Sequence, residues 1–391
     1  PTIRAISAGN TITKLDHLGN VGTYSSITIG ADGLGLISYA SAEDGSLKVA
    51  HCSDIACTNA TITTLDTPAW VSYENIATSI TIGKDNLGLI SYVERLPTGR
   101  HGVLKVAHCS DITCTNATIT TLDNTIYSIL EDPYPTGVLD STSIAIGADG
   151  LGLISYFYST SHDGGAAMVA HCSDTACTSA SITTVGMFTG RTTSISIGSD
   201  DLPLITWGNK WSHCKNVSCT TSKLWGCSDC RGVAFTIGAH GFPLYSRHEF
   251  DMWEMVKCNA ADCSEGWDGN TMIDDTVVGR SVIGIPVSIS IGRYASDFGV
   301  LMSYSDASNN LLKVARCSDY YCKDAMITTL DTIAAPGAAR IPGALKRPSS
   351  TIGIDGLGLI SYYDHRYGDL KVAHCSNANC SPFNETQWAA P

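Results

Sequence analysis

The sequence predicts an all-β chain that folds as a seven-bladed β-propeller, with four antiparallel strands in each blade. Three observations support this fold class. One unit recurs seven times along the 391 residues. Each clear copy holds four short runs rich in Ile, Thr, Val and Tyr, which are typical of strands. A further copy of the last run stands alone near the N-terminus, where it could close a ring.

The repeat is clearest from Ile27 to Asp66, which reads ITIGADGLGLISYASAEDGSLKVAHCSDIACTNATITTLD. Its four runs, here strands A to D, are S-I-T-I-G, L-G-L-I-S-Y, L-K-V-A-H-C and A-T-I-T-T-L. A tight D-G-L-G turn joins A to B and a C-x4-C segment joins C to D, so the strands form an up-and-down meander. The blades, in a single domain spanning 1–391, are expected at 26–66, 79–123, 143–185, 194–226, 233–274, 287–331 and 350–380. The fourth and fifth copies diverge most from the unit.

Ring closure has its own sequence signal. Residues 11–16 read T-I-T-K-L-D and match T-I-T-T-L-D at 61–66 at every position but one. We expect this N-terminal strand to be the outer strand of the last blade. The segment N-E-T-Q-W at 384–388 is the alternative, with a weaker match.

The sixteen cysteines fall into spaced pairs, one C-x4-C pair in each repeat and one additional C-x2-C pair. Zinc sites need four ligands, and each pair stands far in sequence from the next, so local disulfides are favoured over metal. The expected pairs are Cys52 with Cys57, Cys109 with Cys114, Cys172 with Cys177, Cys214 with Cys219, Cys258 with Cys263, Cys317 with Cys322, Cys375 with Cys380, and Cys227 with Cys230. Disulfides of this number indicate an oxidising compartment, so we expect a secreted, extracellular or cell-surface protein.

The bulk composition excludes some partners. The formal net charge of −13 disfavours nucleic acid and anionic membranes, which need a basic surface. No apolar run approaches the roughly 20 residues needed to span a bilayer. The first residue is Pro1 rather than Met, which indicates a mature or trimmed product.

The last repeat carries a family resemblance. The string I-S-Y-Y-D-H-R-Y-G-D-L-K-V-A-H at 360–374 resembles bacterial extracellular propeller repeats, which combine a D-x-x-G turn, a strand ending S-Y-Y-D, and G-D-L-K-Y-A. The resemblance covers nearly the whole chain and implies a sialidase-like or lectin-like propeller in fold only. Sialidase Asp-boxes read S-x-D-x-G-x-x-W, whereas Asp32 is followed by Gly33, Leu34 and Gly35 with no Trp.

Two recurrent polar positions are interpreted as scaffold. A histidine precedes the first cysteine of four pairs (His51, His108, His171 and His374), and an aspartate occupies four A–B turns (Asp32, Asp85, Asp149 and Asp355). A ring of metal-binding histidines is disfavoured because other repeats carry Arg316 or Lys257 at that position. The aspartates are expected to cap their own turns. No cofactor is required, and structural calcium stays open as the alternative for these aspartates.

The two faces of the ring are expected to differ. The A–B and C–D turns emerge on one face and keep short, constant forms. The B–C and D–A loops emerge on the other and vary, with insertions at 93–102, 124–142, 157–166 and 332–350. Variable loops on one face of a repeat protein usually form its binding surface. The candidate ligand-binding residues are Trp207, Trp211, Arg247, His248, Glu249, Trp253, Tyr127 and Tyr134.

The sequence assigns no catalytic residues and no metal ligands, although Glu249, Asp251 and Glu254 are the carboxylates to consider if the chain is an enzyme. We therefore expect a secreted binding or adhesion protein that recognises a glycan or a protein. An extracellular carbohydrate-active hydrolase or lyase and a self-assembling surface protein are the alternatives. The N-x-S/T sequons at Asn59, Asn116, Asn216 and Asn384 would accept glycans in a glycosylating host.

Overall fold

The computed structural model describes residues 9–68, 77–95, 102–124, 139–161, 164–187, 193–208, 210–226, 231–238, 241–249, 252–263, 267–274, 287–294, 297–306, 309–317, 322, 324–334 and 347–381. These residues form 28 strands and no helix. Accordingly, the described part of the chain contains no helix that is long and apolar enough to cross a membrane.

The strands follow the repeats in chain order. The N-terminal strand is β1 Thr11–Asp16. Blade 1 holds β2 Val21–Ile29, β3 Gly35–Ser41, β4 Leu47–Cys52 and β5 Ala60–Asp66. Blade 2 holds β6 Thr78–Ile82, β7 Gly88–Arg95, β8 Gly102–Cys109 and β9 Ala117–Asp123. Blade 3 holds β10 Leu139–Ile146, β11 Gly152–Ser161, β12 Gly164–Cys172 and β13 Ala180–Met187. Blade 4 holds β14 Thr193–Ile197, β15 Pro203–Trp207, β16 Lys210–Cys214 and β17 Ser222–Gly226.

The last three blades follow the same plan. Blade 5 holds β18 Arg231–Ile237, β19 Pro243–Glu249, β20 Met252–Cys258 and β21 Trp267–Asp274. Blade 6 holds β22 Val287–Tyr294, β23 Asp297–Asp306, β24 Leu311–Cys317 and β25 Ala325–Thr332. Blade 7 holds β26 Ser349–Ile352, β27 Gly358–Asp364 and β28 Asp369–His374. Each blade is a four-stranded antiparallel sheet, which confirms the all-β seven-bladed propeller.

The N-terminal strand closes the ring. Strand β1 pairs with β28 of blade 7, with Thr11 opposite His374 and Asp16 opposite Leu370. The sheet order β1-β28-β27-β26 makes β1 the outermost strand of the last blade. The closure predicted for residues 11–16 is confirmed, and residues 384–388 lie outside the described part of the chain.

The hydrophobic core lies between neighbouring blades. Strand β3 is buried along its whole length because both faces of this second strand are covered by adjacent sheets. One core cluster joins Leu89, Val93 and Leu104 of blade 2 to Ile154 and Tyr156 of blade 3. The outer strand β5 is only partly buried, consistent with its Thr-rich sequence.

Serine hydroxyls connect the innermost strands around the propeller axis. The amide of Ile80 in β6 donates to Ser26 Oγ in β2 at 3.2 Å, and that of Ile27 donates to Ser349 Oγ in β26 at 3.1 Å. The same hydrogen bond recurs from Ile144 to Ser79, from Ile195 to Ser143 and from Ser350 to Ser288. Strand A therefore forms the wall of the axial channel, as in other propellers.

Candidate functional site

The face that carries the A–B and C–D turns, here the stapled-turn face, is occupied by the protein's own contacts. In blade 1, Asp32 Oδ1 accepts a hydrogen bond from the Leu34 amide at 3.1 Å. The same cap is made by Asp85, Asp149, Asp200 and Asp355. This confirms the turn-capping role predicted for the aspartates.

The recurrent histidines bind the same aspartates. His51 Nε2 lies 2.7 Å from Asp32 Oδ2, so the end of strand C is tied to the A–B turn of its own blade. Equivalent pairs at 2.7–2.8 Å are His108–Asp85, His171–Asp149, His213–Asp200 and His374–Asp355. The scaffold role of the histidines is confirmed, and no group of three or more metal-ligand side chains was found among the described residues.

A comparison among the repeats could have revealed these pairs. Where the capping aspartate is replaced by His240 in blade 5, the strand-C histidine is replaced by Lys257. Blade 6 has Arg316 at the histidine position, and its A and B strands extend to Tyr294 and from Asp297, where the other repeats have the aspartate-capped turn. The two positions change together, which is the sequence signature of a direct contact.

The C–D turns are closed by disulfides. The bonds are Cys52–Cys57, Cys109–Cys114, Cys172–Cys177, Cys214–Cys219, Cys258–Cys263, Cys317–Cys322 and Cys375–Cys380. These seven predicted pairs are confirmed. In every pair the second cysteine has a positive φ, such as 54° at Cys57, a conformation that disfavours side chains other than Gly. The disulfide and the turn's hydrogen bonds hold this conformation.

The eighth predicted disulfide is not among these bonds. Both of its members, Cys227 and Cys230, lie outside the described residues, between the end of β17 at Gly226 and the start of β18 at Arg231. The bond between Cys227 and Cys230 therefore stays a prediction. Alkylation of the unreduced chain would leave Cys227 and Cys230 unmodified if the bond forms and would label both if they are free thiols.

An aspartate also caps the C–D turn. Asp111 accepts hydrogen bonds from the side chains of Thr113 and Thr115 and from both of their amides. The two hydroxyls, followed by the amides, outweigh the opposing effect of burial and lower the pKa of Asp111 to about 2. Blade 4 has Asn216 at this position, where it accepts from the Thr220 amide, so an amide side chain fits the turn.

This cap predicts an acid-dependent stability. Because the folded pKa of Asp111 is depressed, its ionised carboxylate stabilises the turn above the unfolded-state pKa, and the contribution is lost as pH falls toward about 2. We expect Asp111→Asn to lower the melting temperature at pH 7 and to make little difference at pH 2. Paired thermal melts at pH 7, 4 and 2 check this. A melting-temperature difference that does not change with pH would contradict it.

The opposite face, here the loop-bearing face, is braced by clusters that join neighbouring blades. In blade 1, Tyr39 donates its hydroxyl proton to Asp16 Oδ2 at 2.7 Å and Lys48 Nζ lies 3.0 Å from the same oxygen. Burial would raise the pKa of Asp16, but the bonds from Tyr39, Leu18 and Lys48 lower it. Asp16 comes from β1, so this cluster also fixes the ring closure.

The same arrangement recurs between other blades. The aspartate at the end of strand D accepts a hydrogen bond from the hydroxyl of the strand-B tyrosine in the next blade. The pairs are Asp66–Tyr92, Asp123–Tyr156, Asp274–Tyr304 and Asp331–Tyr362. A strand-C lysine completes the cluster in three of these blades, as Lys105, Lys313 and Lys371. Blade 3 has Met168 at that position.

Three of these lysines bind a second carboxylate. Lys313 Nζ lies 2.8 Å from Asp306 and 3.2 Å from Asp274, both fully buried. Burial would lower the pKa of Lys313, but the two carboxylates outweigh it and raise the pKa. Lys105 pairs similarly with Glu94, and Lys371 pairs with Asp364 at 2.7 Å. The acidic residue that ends the S-Y-Y-D run and the lysine that ends the D-L-K run thus form a structural ion pair.

Blade 4 replaces this cluster with an apolar contact. Gly186 stands where the strand-D aspartate is expected, and Trp207 stands where the tyrosine is expected. A Cβ on Gly186 would lie 2.6 Å from the Trp207 ring, so the indole occupies the space of the missing carboxylate. In blade 5, Arg247 stands at the tyrosine position of the repeat and Glu254 stands at the lysine position. These two residues are opposite each other in the β19–β20 register.

The structure separates the candidate ligand-binding residues. Trp207 and Trp211 are 1% and 3% exposed, respectively, and Trp211 packs against Phe235 and Tyr245, so both belong to the core and offer no face to a ligand. The expectation that these two indoles are available for stacking is corrected. Four others lie on one hairpin, with Arg247, His248 and Glu249 ending β19 and Trp253 near the start of β20. Tyr127, Tyr134 and Asp251 lie outside the described residues.

The sequons at Asn59, Asn116 and Asn216 lie on the stapled-turn face. Asn59 and Asn116 are exposed just after the disulfide-closed turns. Asn216 lies inside such a turn, where its amide nitrogen donates to Thr220 Oγ1. Asn384 is outside the described residues.

Sequence comparison identifies no family: no protein-family model matches the chain, and no curated protein matches it. Solved structures with the same fold do match. A catalytically inactive virginiamycin B lyase from Staphylococcus aureus has a TM-score of 0.53 at 12% identity, covering 93% of this chain and 99% of its own. BBS1N in complex with ARL6DN has a TM-score of 0.54 at 9% identity, covering 96% and 100%. An α-L-arabinofuranosidase from Fusarium graminearum has a TM-score of 0.51 at 9% identity, covering 94% and 97%.

These structural relatives include two enzymes and a protein determined in complex with a partner. At such identities the likeness shows the propeller fold alone, because one fold carries many functions.

Proposed function

We propose that the chain is a secreted binding protein that recognises carbohydrate through its loop-bearing face. The observation that carries the proposal is the difference between the two faces. On the stapled-turn face the repeated polar groups are used by the turns themselves, as in the Asp32–Leu34 cap and the His51–Asp32 pair. The loop-bearing face combines a rigid base of interblade clusters with the insertions that differ from blade to blade.

Secretion is part of the proposal. The described residues form seven disulfides. Disulfides persist in compartments that do not keep thiols reduced, so this number fits an extracellular location. The net charge of −13 fits a soluble secreted protein that does not bind nucleic acid.

Binding is preferred to hydrolysis because four of the described carboxylates on the loop-bearing face already have structural partners. Asp16, Asp66, Asp274 and Asp331 each accept a tyrosine hydroxyl and pair with a lysine, and this fixes them as structural anions. A glycosidase needs two carboxylates poised for acid–base work on either side of a substrate. The candidate residues Arg247, His248, Glu249 and Trp253 lie on the β19–β20 hairpin, and we propose them as ligand contacts with Trp253 as the stacking group.

A glycan array tests the proposal with the full oxidised chain. We expect selective binding of a set of glycans, and mass spectrometry should recover each bound glycan intact after prolonged incubation. Trp253→Ala should weaken binding without changing the melting temperature. A matched substitution on the stapled-turn face, Ile55→Ala, should leave binding unchanged. An array without specific binding, or bound glycans recovered as cleaved products, would overturn the binding role.

A further inference from the structure

The B–C turn of blade 7 is a fixed support for an exposed aromatic ring. Tyr367 is the third of the four residues between β27 and β28, and it is 67% exposed. The next residue, Gly368, has a φ of 74°, and its amide donates to the Asp364 carbonyl at 2.9 Å. The Gly368 carbonyl accepts a hydrogen bond from the Val21 amide of blade 1 at 2.8 Å. The backbone beneath the ring is therefore held before a ligand arrives, which reduces the entropy cost of binding.

The same turn carries no aromatic residue in two other blades. Blades 1 and 6 also place four residues between the last paired residues of strands B and C. The last of these four residues again has a positive φ, 71° at Gly45 and 59° at Asn310. The position of Tyr367 is taken by Asp44 in blade 1 and by Asn309 in blade 6. Because a short polar side chain fits this turn, the turn itself does not require Tyr367.

A lysine on the outermost strand of blade 7 also departs from the repeat. Lys14 stands in β1 where the blade 1 copy of this strand has Thr64. It is directly opposite Lys371 in the β1–β28 register, and like charges in that arrangement destabilise a sheet. The Lys14 side chain is 43% exposed, and its ammonium pairs with Asp369 at 2.6 Å and lies 5.0 Å from the centre of the Tyr367 ring. An unfavourable lysine in the ladder thus reaches the residue that the turn does not require.

Arg366 supplies further hydrogen-bond donors beside the ring. Its Nε donates to Asp364 at 3.0 Å, and Nη2 donates to Asp364 at 2.8 Å and to Asp331 at 3.5 Å. A guanidinium has five N–H donors, and the two on Nη1 form no hydrogen bond with the described part of the chain. The guanidinium carbon lies 5.4 Å from the centre of the Tyr367 ring. Donors without a protein acceptor therefore lie next to an exposed aromatic surface.

The charges beneath the ring balance. Three cations bind three carboxylates in the pairs Lys14–Asp369, Arg366–Asp364, Arg366–Asp331, Lys371–Asp331 and Lys371–Asp364. These six groups leave no net charge to attract an ion. An exposed ring and free N–H donors in a neutral setting suit an uncharged ligand that carries hydroxyl groups.

We propose that Tyr367, Lys14 and Arg366 form a subsite for a neutral pyranose. The tyrosine ring packs against the C–H face of the sugar, and the two cations donate charge-assisted hydrogen bonds to its hydroxyl oxygens. Residues that break the local rules of a fold are expected at functional sites, and here such departures meet at one place. The subsite lies on the loop-bearing face, at the outer half of blade 7. It deepens the proposed function and rests on it.

The test is saturation-transfer NMR of the full oxidised chain with the methyl pyranosides of D-glucose, D-galactose, D-mannose and L-fucose. We expect at least one of these neutral sugars to bind. Titration should give it an affinity about tenfold weaker in Tyr367→Asn, which installs the residue that blade 6 has in the same turn. Tyr367→Phe keeps the ring and should retain most of the affinity. The melting temperature should not change in either variant.

The control variant removes an equally exposed apolar side chain from the stapled-turn face. Ile354 is 68% exposed in the A–B turn of blade 7, and Ile354→Ala should bind the sugar like the unmodified chain. The subsite is overturned if none of the four sugars binds, if the affinity is the same in Tyr367→Asn, or if D-glucuronate binds more tightly than every neutral sugar. Glycan-array binding that persists in Tyr367→Asn would show that the subsite alone fails. An array on which the unmodified chain binds nothing would show that the proposed function itself fails.

Discussion

Deleting residues 1–16 is expected to open the ring and to leave little folded protein at room temperature. The deletion removes β1 from the edge of blade 7 and takes Asp16 away from Tyr39 and Lys48. Breaking one buried charged pair costs about 3–5 kcal/mol, and the lost strand ladder adds to this. The sum approaches the roughly 5–15 kcal/mol by which domains are stable. Circular dichroism melts and limited proteolysis measure the effect.

A shorter truncation is the control. Removing residues 1–8 keeps Asn10, whose side chain bonds the Cys380 carbonyl and the Ser376 amide, and keeps β1 intact. We expect this variant to melt like the full chain. If the longer deletion also melts unchanged, the N-terminal strand does not close the ring in solution.

Asp274→Ala is expected to destabilise the ring by about 3–5 kcal/mol, because it leaves a buried lysine and a buried tyrosine hydroxyl without this acceptor. Asp274 accepts from Tyr304 at 2.6 Å and pairs with Lys313 at 3.2 Å. It joins blade 5 to blade 6, so its loss should loosen the contact between them. Chemical denaturation by urea gives the free energy of unfolding for the variant.

The chain itself supplies the rescue variants. Blade 3 has Met168 in place of the lysine, and the pair Gly186 and Trp207 replaces aspartate and tyrosine between blades 3 and 4. Adding Tyr304→Trp to Asp274→Gly should therefore recover part of the stability lost with Asp274→Gly alone. A cost below about 1 kcal/mol for Asp274→Ala would mean that the cluster is no stronger than an exposed ion pair.

Most of the architecture follows from repetition in the sequence. The copied runs predict the strands, the C-x4-C spacing predicts the local disulfides, and the match between 11–16 and 61–66 predicts the closing strand. These features are local, or depend on one strand being a copy of another. Period-two patterning and short turns therefore suffice to derive them.

Contacts between blades were not predicted. The Asp66–Tyr92–Lys105 cluster joins three positions from two repeats, and only the register across the blade contact brings them together. The His51–Asp32 pair lies within one blade, and it was missed because it depends on which strand ends meet on one face. The prediction of Trp207 and Trp211 as ligand contacts is wrong because it rests on the divergence of blade 4, whereas the alignment of Trp207 with the tyrosine of the repeat places it in the core.

The central claim, that ligands bind the loop-bearing face, is tested most directly by shielding one face with a glycan. Asp44→Asn creates an N-G-S sequon in the B–C turn of blade 1, whereas Asn59 and Asn116 carry native sequons on the stapled-turn face. In a glycosylating host we expect array binding to survive glycans at Asn59 and Asn116 and to be lost when Asp44→Asn is glycosylated. The same variant made without glycosylation should bind normally. Binding that survives the glycan at position 44 and is blocked by those at Asn59 and Asn116 would contradict the account.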